Sequence, residues 1–213
     1  MRSTFCQSAP ALDPFPMSSV SEIIVREYFE LHEFLVRQHR KYIAQNKRKE
    51  DDIDFFVLNP HPQKREGEQP FVLTSADLPY VERAIVAVKG WHTETFSSAR
   101  LASTPEIFRF VGTKVFQQAE RVFGENGSPL KLLVIPALPH GEQARDESIA
   151  LLRSKGIDAV IPFRTMLADL VGKIEVNRNY QKSDLLQMIR ILKNYDFIRE
   201  PQLELFKAKR KKR

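Results

Sequence analysis

Five consecutive apolar residues, Ala84-Ile-Val-Ala-Val88, stand between Arg83 and Lys89 with no polar position among them. A strand with one wet face alternates apolar and polar side chains. A strand that is apolar at every position has to be covered on both faces, which calls for helices above and below a sheet. Leu132-Leu-Val-Ile135 repeats the pattern, and Asp158-Ala-Val-Ile-Pro162 is a third such segment. Between the last two, a helix is predicted from about Gln143 to Lys155, stopped by Gly156. A strand–helix–strand unit of this kind implies a parallel pair joined by a right-handed crossover.

The other elements follow from local signals. A helix is predicted from Ser19, where Ser19 and Glu22 have capping-box spacing and Ile23, Ile24, Val25, Tyr28, Phe29 and Leu31 supply the apolar positions. Phe34-Leu-Val36 turns toward strand character, running on through Tyr42-Ile43. Asp52-Ile-Asp-Phe-Phe-Val-Leu58 reads as a strand ended by Asn59-Pro60. Residues 60–70 hold three prolines and read as a loop, with Phe71-Val-Leu73 a short edge piece after it. Pro105 opens a predicted helix that runs to Phe123 and ends at Gly124. Thr165 and Ser183 are expected to cap two C-terminal helices, the second carrying the stripe Leu185, Leu186, Ile189 and Leu192, with Arg190 and Lys193 on a solvated face. The expected fold class is therefore α/β, three layers with a central mixed sheet flanked by helices. Gly124-Glu-Asn-Gly127 lacks phosphate-loop spacing and no Gly-Lys-Ser/Thr occurs, so a Rossmann or P-loop reading is excluded by motif.

Composition bounds the rest. With 213 residues and 42% hydrophobic content, the chain suits one core, taken as residues 18–200. Residues 1–17, with Pro10, Pro14 and Pro16, are expected to be a disordered leader, and they show no apolar segment of the secretory type. Cys6 is the single cysteine, which excludes an internal disulfide and suits a reducing cytoplasm. No apolar run is long enough for a membrane span. The net charge is +6, and the tail Lys207-Ala-Lys-Arg-Lys-Lys-Arg213 supplies all of it, leaving the body formally neutral. A second basic cluster comprises Arg37, Arg40, Lys41, Lys47, Arg48 and Lys49. Two basic patches on a neutral body suit a polyanion such as nucleic acid, with a solubilising role as the plain alternative.

One pair of residues points to chemistry. Asp54 stands in a predicted strand and Lys89 closes another, each beside apolar neighbours. A carboxylate at a sheet edge offers hard oxygen to Mg²⁺, and a lysine beside it can orient a water or stabilise charge on a phosphorane. Asp51 and Asp52 precede Asp54, so a solvated acidic edge is the alternative there. His92 is placed to contact a phosphate; His32 and His39 lack a ligand pattern, and Trp91 reads as packing. Phe96-Ser-Ser-Ala99 lacks the nucleophile-elbow spacing of a serine hydrolase.

Across about residues 21–176 these segments resemble the PD-(D/E)XK nuclease superfamily, especially its Holliday-junction-resolvase-like branch. Ser21-Glu22-Ile23 matches the helical glutamate. Glu33-Phe34-Leu35-Val36 matches the step into the first strand, with Glu33 where glycine is usual. Asp54 matches the metal-binding aspartate, and Ala87-Val88-Lys89-Gly90-Trp91 matches the Glu-X-Lys strand with its trailing Gly-Trp. The resemblance implies a restriction-endonuclease-like fold and a nuclease with Mg²⁺ or Mn²⁺ on Asp54, Lys89 assisting the water, DNA as partner and a homodimer by analogy. Its departure is Ala87, where the family has its second carboxylate. Glu106 from the following helix, less readily Glu94, is the candidate replacement as metal ligand; Glu22 is another. A catalytically inactive nucleic-acid-binding module, or an interaction protein without nucleic acid, are the competing readings.

Overall fold

The computed structural model describes residues 19–38, 53–124 and 128–198. The leader, the basic residues from Arg40 to Lys49, Asp51, Asp52, His39 and the basic tail lie outside the described residues. Among those described, a five-stranded sheet has the order β1-β2-β3-β4-β5, from Leu35–Gln38 (β1), Phe55–Leu58 (β2), Arg83–Val88 (β3), Leu130–Ile135 (β4) and Ala159–Pro162 (β5). β1, β2 and β3 form an antiparallel meander, whereas β3, β4 and β5 are parallel, so the sheet is mixed as expected. Val72 adds an isolated parallel bridge to Val160, which makes 71–73 the predicted edge piece beside β5.

The apolar runs are covered on both faces, and alternation sorts them. Phe55, Val57, Val86, Val88, Leu132, Val134 and Ile161 face one buried cluster, closed by α1 (Ser19–Leu31), α5 (Phe163–Lys173) and α6 (Asp184–Asn194). Phe56, Ile85, Ala87, Leu133, Ile135 and Val160 face the other, closed by α2 (Ser98–Ser103), α3 (Thr113–Phe123) and α4 (Glu142–Ser154). This is the three-layer α/β arrangement. No described helix is long and apolar enough to cross a membrane.

Four local expectations need correction. The predicted helix 105–123 is a 3₁₀ turn, Pro105–Val111, separated at Gly112 from α3. Ser98–Ser103 and a 3₁₀ turn at Ser75–Tyr80 are helical where no helix was predicted. Thr165 caps nothing: α5 starts at Phe163 directly after Pro162, because the strand passes into the helix without a polar turn. Ser183, by contrast, caps α6 by accepting a hydrogen bond from Leu186 N–H. Finally, Lys193 and Arg190 are not merely solvated. Lys193 Nζ donates to the carbonyls of Val171 (2.9 Å) and Ile174 (2.7 Å), and Arg190 Nε to that of Val176 (2.8 Å). They satisfy carbonyls left open where α5 ends, and a cation there also complements the helix dipole.

Candidate functional site

Strand direction decides which residues share a rim. Because β2 runs against its neighbours, the C-terminal ends of β1, β3, β4 and β5 meet the N-terminal end of β2 on one edge of the sheet. That edge collects most of the residues with chemical potential.

Asp54 stands just before β2. Its N–H donates to Val86 O at 3.0 Å and its Oδ2 accepts from Val88 N–H at 2.7 Å, so it sits opposite Ala87. Here a side-chain oxygen takes the place of the next carbonyl in the ladder, a charge-assisted bond that fixes the carboxylate against β3. Lys89 extends β3 by one more bond, N–H to Val134 O at 2.9 Å. Strand alternation puts Lys89 on the same face as Ala87, and the cross-strand pairing puts Asp54 there too. Both charged residues are buried, at 5% and 7% exposure, and neither is without a partner. Aspartate and lysine are seldom this buried unless paired. Ala87 between them is wholly buried.

The first helix completes the rim. Glu22 is half-buried, and its Oε2 accepts from Gln38 Nε2 at 2.6 Å, which ties α1 to the end of β1 beside Phe55. α1 opens at Ser19 itself, so Glu22 lies one position past a capping-box partner. Ser21, wholly buried, lies 3.0 Å through Oγ from His92 Nε2. Gly90 permits this approach: a Cβ there would meet Ser21 Oγ at 2.3 Å and Ser21 Cβ at 2.8 Å. The His92 ring packs edge-on against Phe163, 4.6 Å between centroids. Trp91 is a packing residue, as expected, stacked on Phe96 at 5.6 Å.

Glu33 carries further information. Its φ is 65°, in the left-handed region that favours glycine. With Phe34 N–H donating to Phe29 O at 3.0 Å, Glu33 is the left-handed cap that ends α1 and turns the chain into β1.

The carboxylate replacing Ala87 is less well provided for. Glu106 is half-buried in the first turn of Pro105–Val111, and Glu94 pairs with Arg100 at 3.5 Å. Among the described residues no three His, Cys, Asp or Glu side chains gather as a metal-binding group, so Asp54, Glu22 and Glu106 do not form one. Of the basic residues, Arg37 is exposed on β1 and His92 is exposed on the loop after β3. Gln38 was not predicted as a site residue; its bond to Glu22 spans 16 positions and leaves no local signal. Comparison with family models, curated proteins and solved structures gives no match.

Proposed function

We propose that this chain is a divalent-metal-dependent nuclease of the PD-(D/E)XK type, acting on DNA phosphodiester bonds. The observation that carries the reading is the pairing of Asp54 against position 87 with Lys89 two residues further along the same strand face. The link from Glu22 to Gln38 adds a further carboxylate to the same rim. Asp54 is the residue assigned to hold Mg²⁺ or Mn²⁺, with Glu106 or Glu22 as the candidate second carboxylate. A cation held there supplies Lewis-acid polarisation of the phosphate. Val88 N–H keeps the Asp54 carboxylate oriented. The Lys89 ammonium, in a site of low dielectric, stabilises negative charge growing on the phosphorane oxygens. Arg37 and His92 hold flanking phosphates.

A second reading rests on its own observation. Ala87 brings no oxygen to a fully buried position facing Asp54, and no three-acid group replaces it among the described residues. That favours a module that binds nucleic acid without cutting it. The two readings separate in one assay, with plasmid, linear and branched DNA incubated with Mg²⁺ or Mn²⁺. The nuclease reading expects metal-dependent cleavage that Lys89→Ala lowers by about 10²–10³-fold, the scale of losing one preorganised electrostatic group. Absence of cleavage by the wild type, or equal cleavage by folded Lys89→Ala, eliminates it. The binding module expects metal-independent association that weakens steeply with salt.

A further inference from the structure

Ser21 and His92 form an unequal pair. Ser21, in the first turn of α1, is wholly buried, whereas His92, in the turn after β3, is exposed. The Ser21 hydroxyl lies 3.0 Å from His92 Nε2. Gly90 keeps the two within reach, because a Cβ there would press on Ser21 Oγ at 2.3 Å and on Ser21 Cβ at 2.8 Å. The backbone tightens the same turn, with His92 N–H donating to Gly90 O at 3.0 Å. On another side the imidazole packs edge-on against Phe163, 4.6 Å between centroids. An exposed side chain ordinarily changes rotamer freely. This one is held from α1 and from α5. His92 also borders a cavity of about 500 Å³ that Thr95 and Arg164 line.

The burial of Ser21 fixes the direction of the bond. A buried hydroxyl whose hydrogen finds no acceptor costs free energy, and among the described residues His92 Nε2 is the one hydrogen-bond partner of Ser21 Oγ. Ser21 therefore donates and Nε2 accepts, so the neutral ring carries its proton on Nδ1. Packing alone does not call for this hydroxyl, since alanine at position 21 would need no partner. His92 follows Lys89 along the chain and Ser21 precedes Glu22, so the fixed ring stands where the two segments of the candidate site meet. We propose that Ser21 is a positioning residue that holds His92 in the Nδ1–H form and aims that N–H at a phosphate oxygen of bound DNA. The inference rests on DNA contacting this rim, and adds which nitrogen makes the contact and what sets it. His92 acts here as a fixed hydrogen-bond donor and transfers no proton.

Histidine-selective ¹⁵N labelling of the full chain tests the first half. Long-range ¹H–¹⁵N correlations in mildly alkaline buffer show which ring nitrogen bears the proton, and the His92 signals are those missing from His92→Ala. The wild type is expected to show a protonated Nδ1, and Ser21→Ala to change to Nε2–H, the form a free neutral histidine favours. Unmoved signals from His32, bound to Asp169 at 2.8 Å just past the end of α1, report that the helix is still seated. Fluorescence anisotropy with a labelled blunt duplex in EDTA tests the second half without cleavage. His92→Ala is expected to weaken binding about tenfold, the scale of one hydrogen bond to a charged oxygen. Ser21→Ala is expected to weaken it about threefold, and the double variant no more than His92→Ala, because the serine acts only through the ring. A wild-type ring protonated on Nε2, a Ser21→Ala ring that keeps its Nδ1 proton, additive losses in the double variant, full affinity in His92→Ala, or no duplex binding by the wild type would each overturn the inference. Cleavage of DNA in Mg²⁺ alongside any of these keeps the nuclease reading and removes this one. The expected pattern in a protein that never cleaves does the opposite.

Discussion

The two rims of the sheet use buried carboxylates in different ways. At the rim where β2 ends and β3 begins, Asp77 accepts from Thr74 N–H (2.9 Å), from the Thr74 hydroxyl (2.7 Å) and from Arg65 (2.9 Å). Asn59 braces the neighbouring turn through His61 N–H and Pro79 O, and Asp158 accepts from Lys131 N–H. The bonds from Arg65 to Asp77, Asn59 to Pro79 and Lys131 to Asp158 span 12, 20 and 27 positions and brace turns and strand ends. At the opposite rim Asp54 makes one bond of the same kind, to Val88 N–H, but its surroundings differ. Glu22, Gln38 and the pair Lys89 and His92 arrive from three separate segments, and a glycine lets the first and last of them meet. The contrast teaches that burial of an aspartate alone does not mark a site: Asp77 is answered by Thr74 and Arg65, whereas Asp54 shares its strand face with a buried lysine.

The sharpest way to break this contrast is to add an acid to each rim. Ala87→Glu is expected to destabilise the protein by about 3 kcal/mol or more in EDTA, the scale of an uncompensated buried charge. Saturating Mg²⁺ is expected to restore about 2–3 kcal/mol of that by binding the folded state. Val81→Glu, equally buried at the far rim, is expected to lose as much and recover nothing. Urea melts with and without Mg²⁺ read both, and equal recovery in the two variants would dissolve the distinction.

Asp77→Ala is next in size, with an expected loss of about 1–3 kcal/mol and unchanged activity per folded molecule. Burial pushes the Asp77 carboxyl up, but the Thr74 N–H and hydroxyl and the Arg65 guanidinium together hold it below its ordinary 3.8. Its contribution is therefore present above that pH and is lost as pH falls through the lower folded value.

Glu33→Gly relieves the left-handed strain and is expected to raise stability by up to about 1 kcal/mol, reduced by the greater freedom of glycine in the unfolded chain. A thermal melt that moves downward would count against the glycine-like role of this position.

The smallest effect concerns His32, which joins α1 to α5. Its Nε2 lies 2.8 Å from Asp169 Oδ2 and Lys173 Nζ approaches to 3.0 Å. Burial, aided by the Lys173 charge and opposed by Asp169, holds the imidazole below its ordinary 6.5. Below pH 6.5 the unfolded chain takes a proton that the folded state resists, so stability should fall on acidification through that range. His32→Gln should flatten this part of the profile.

Much of the architecture was legible because burial on two faces leaves continuous apolar runs, as in Ala84–Val88 and Leu132–Ile135. The positions of Asp54 and Lys89 at strand ends were legible for the same reason, being charges set against such runs. What escaped was tertiary or too short to be periodic. The six residues of Ser98–Ser103 complete fewer than two turns, and the break at Gly112 interrupts a pattern that reads as one helix. Lys193 closes the end of a different helix, 22 and 19 positions earlier, which no spacing rule on its own helix reveals. Arg164 and Thr95 meet at one cavity only because parallel strands bring their C-terminal ends together.

Asp54→Asn gives the most direct test. Asparagine keeps an oxygen to accept from Val88 N–H and removes the negative charge, so the strand end stays closed while the proposed cation loses its main anchor. The account predicts metal-dependent DNA cleavage by the wild type and a loss of about 10²-fold or more in cleavage per folded molecule by Asp54→Asn. Cleavage by folded Asp54→Asn at the wild-type rate would contradict it.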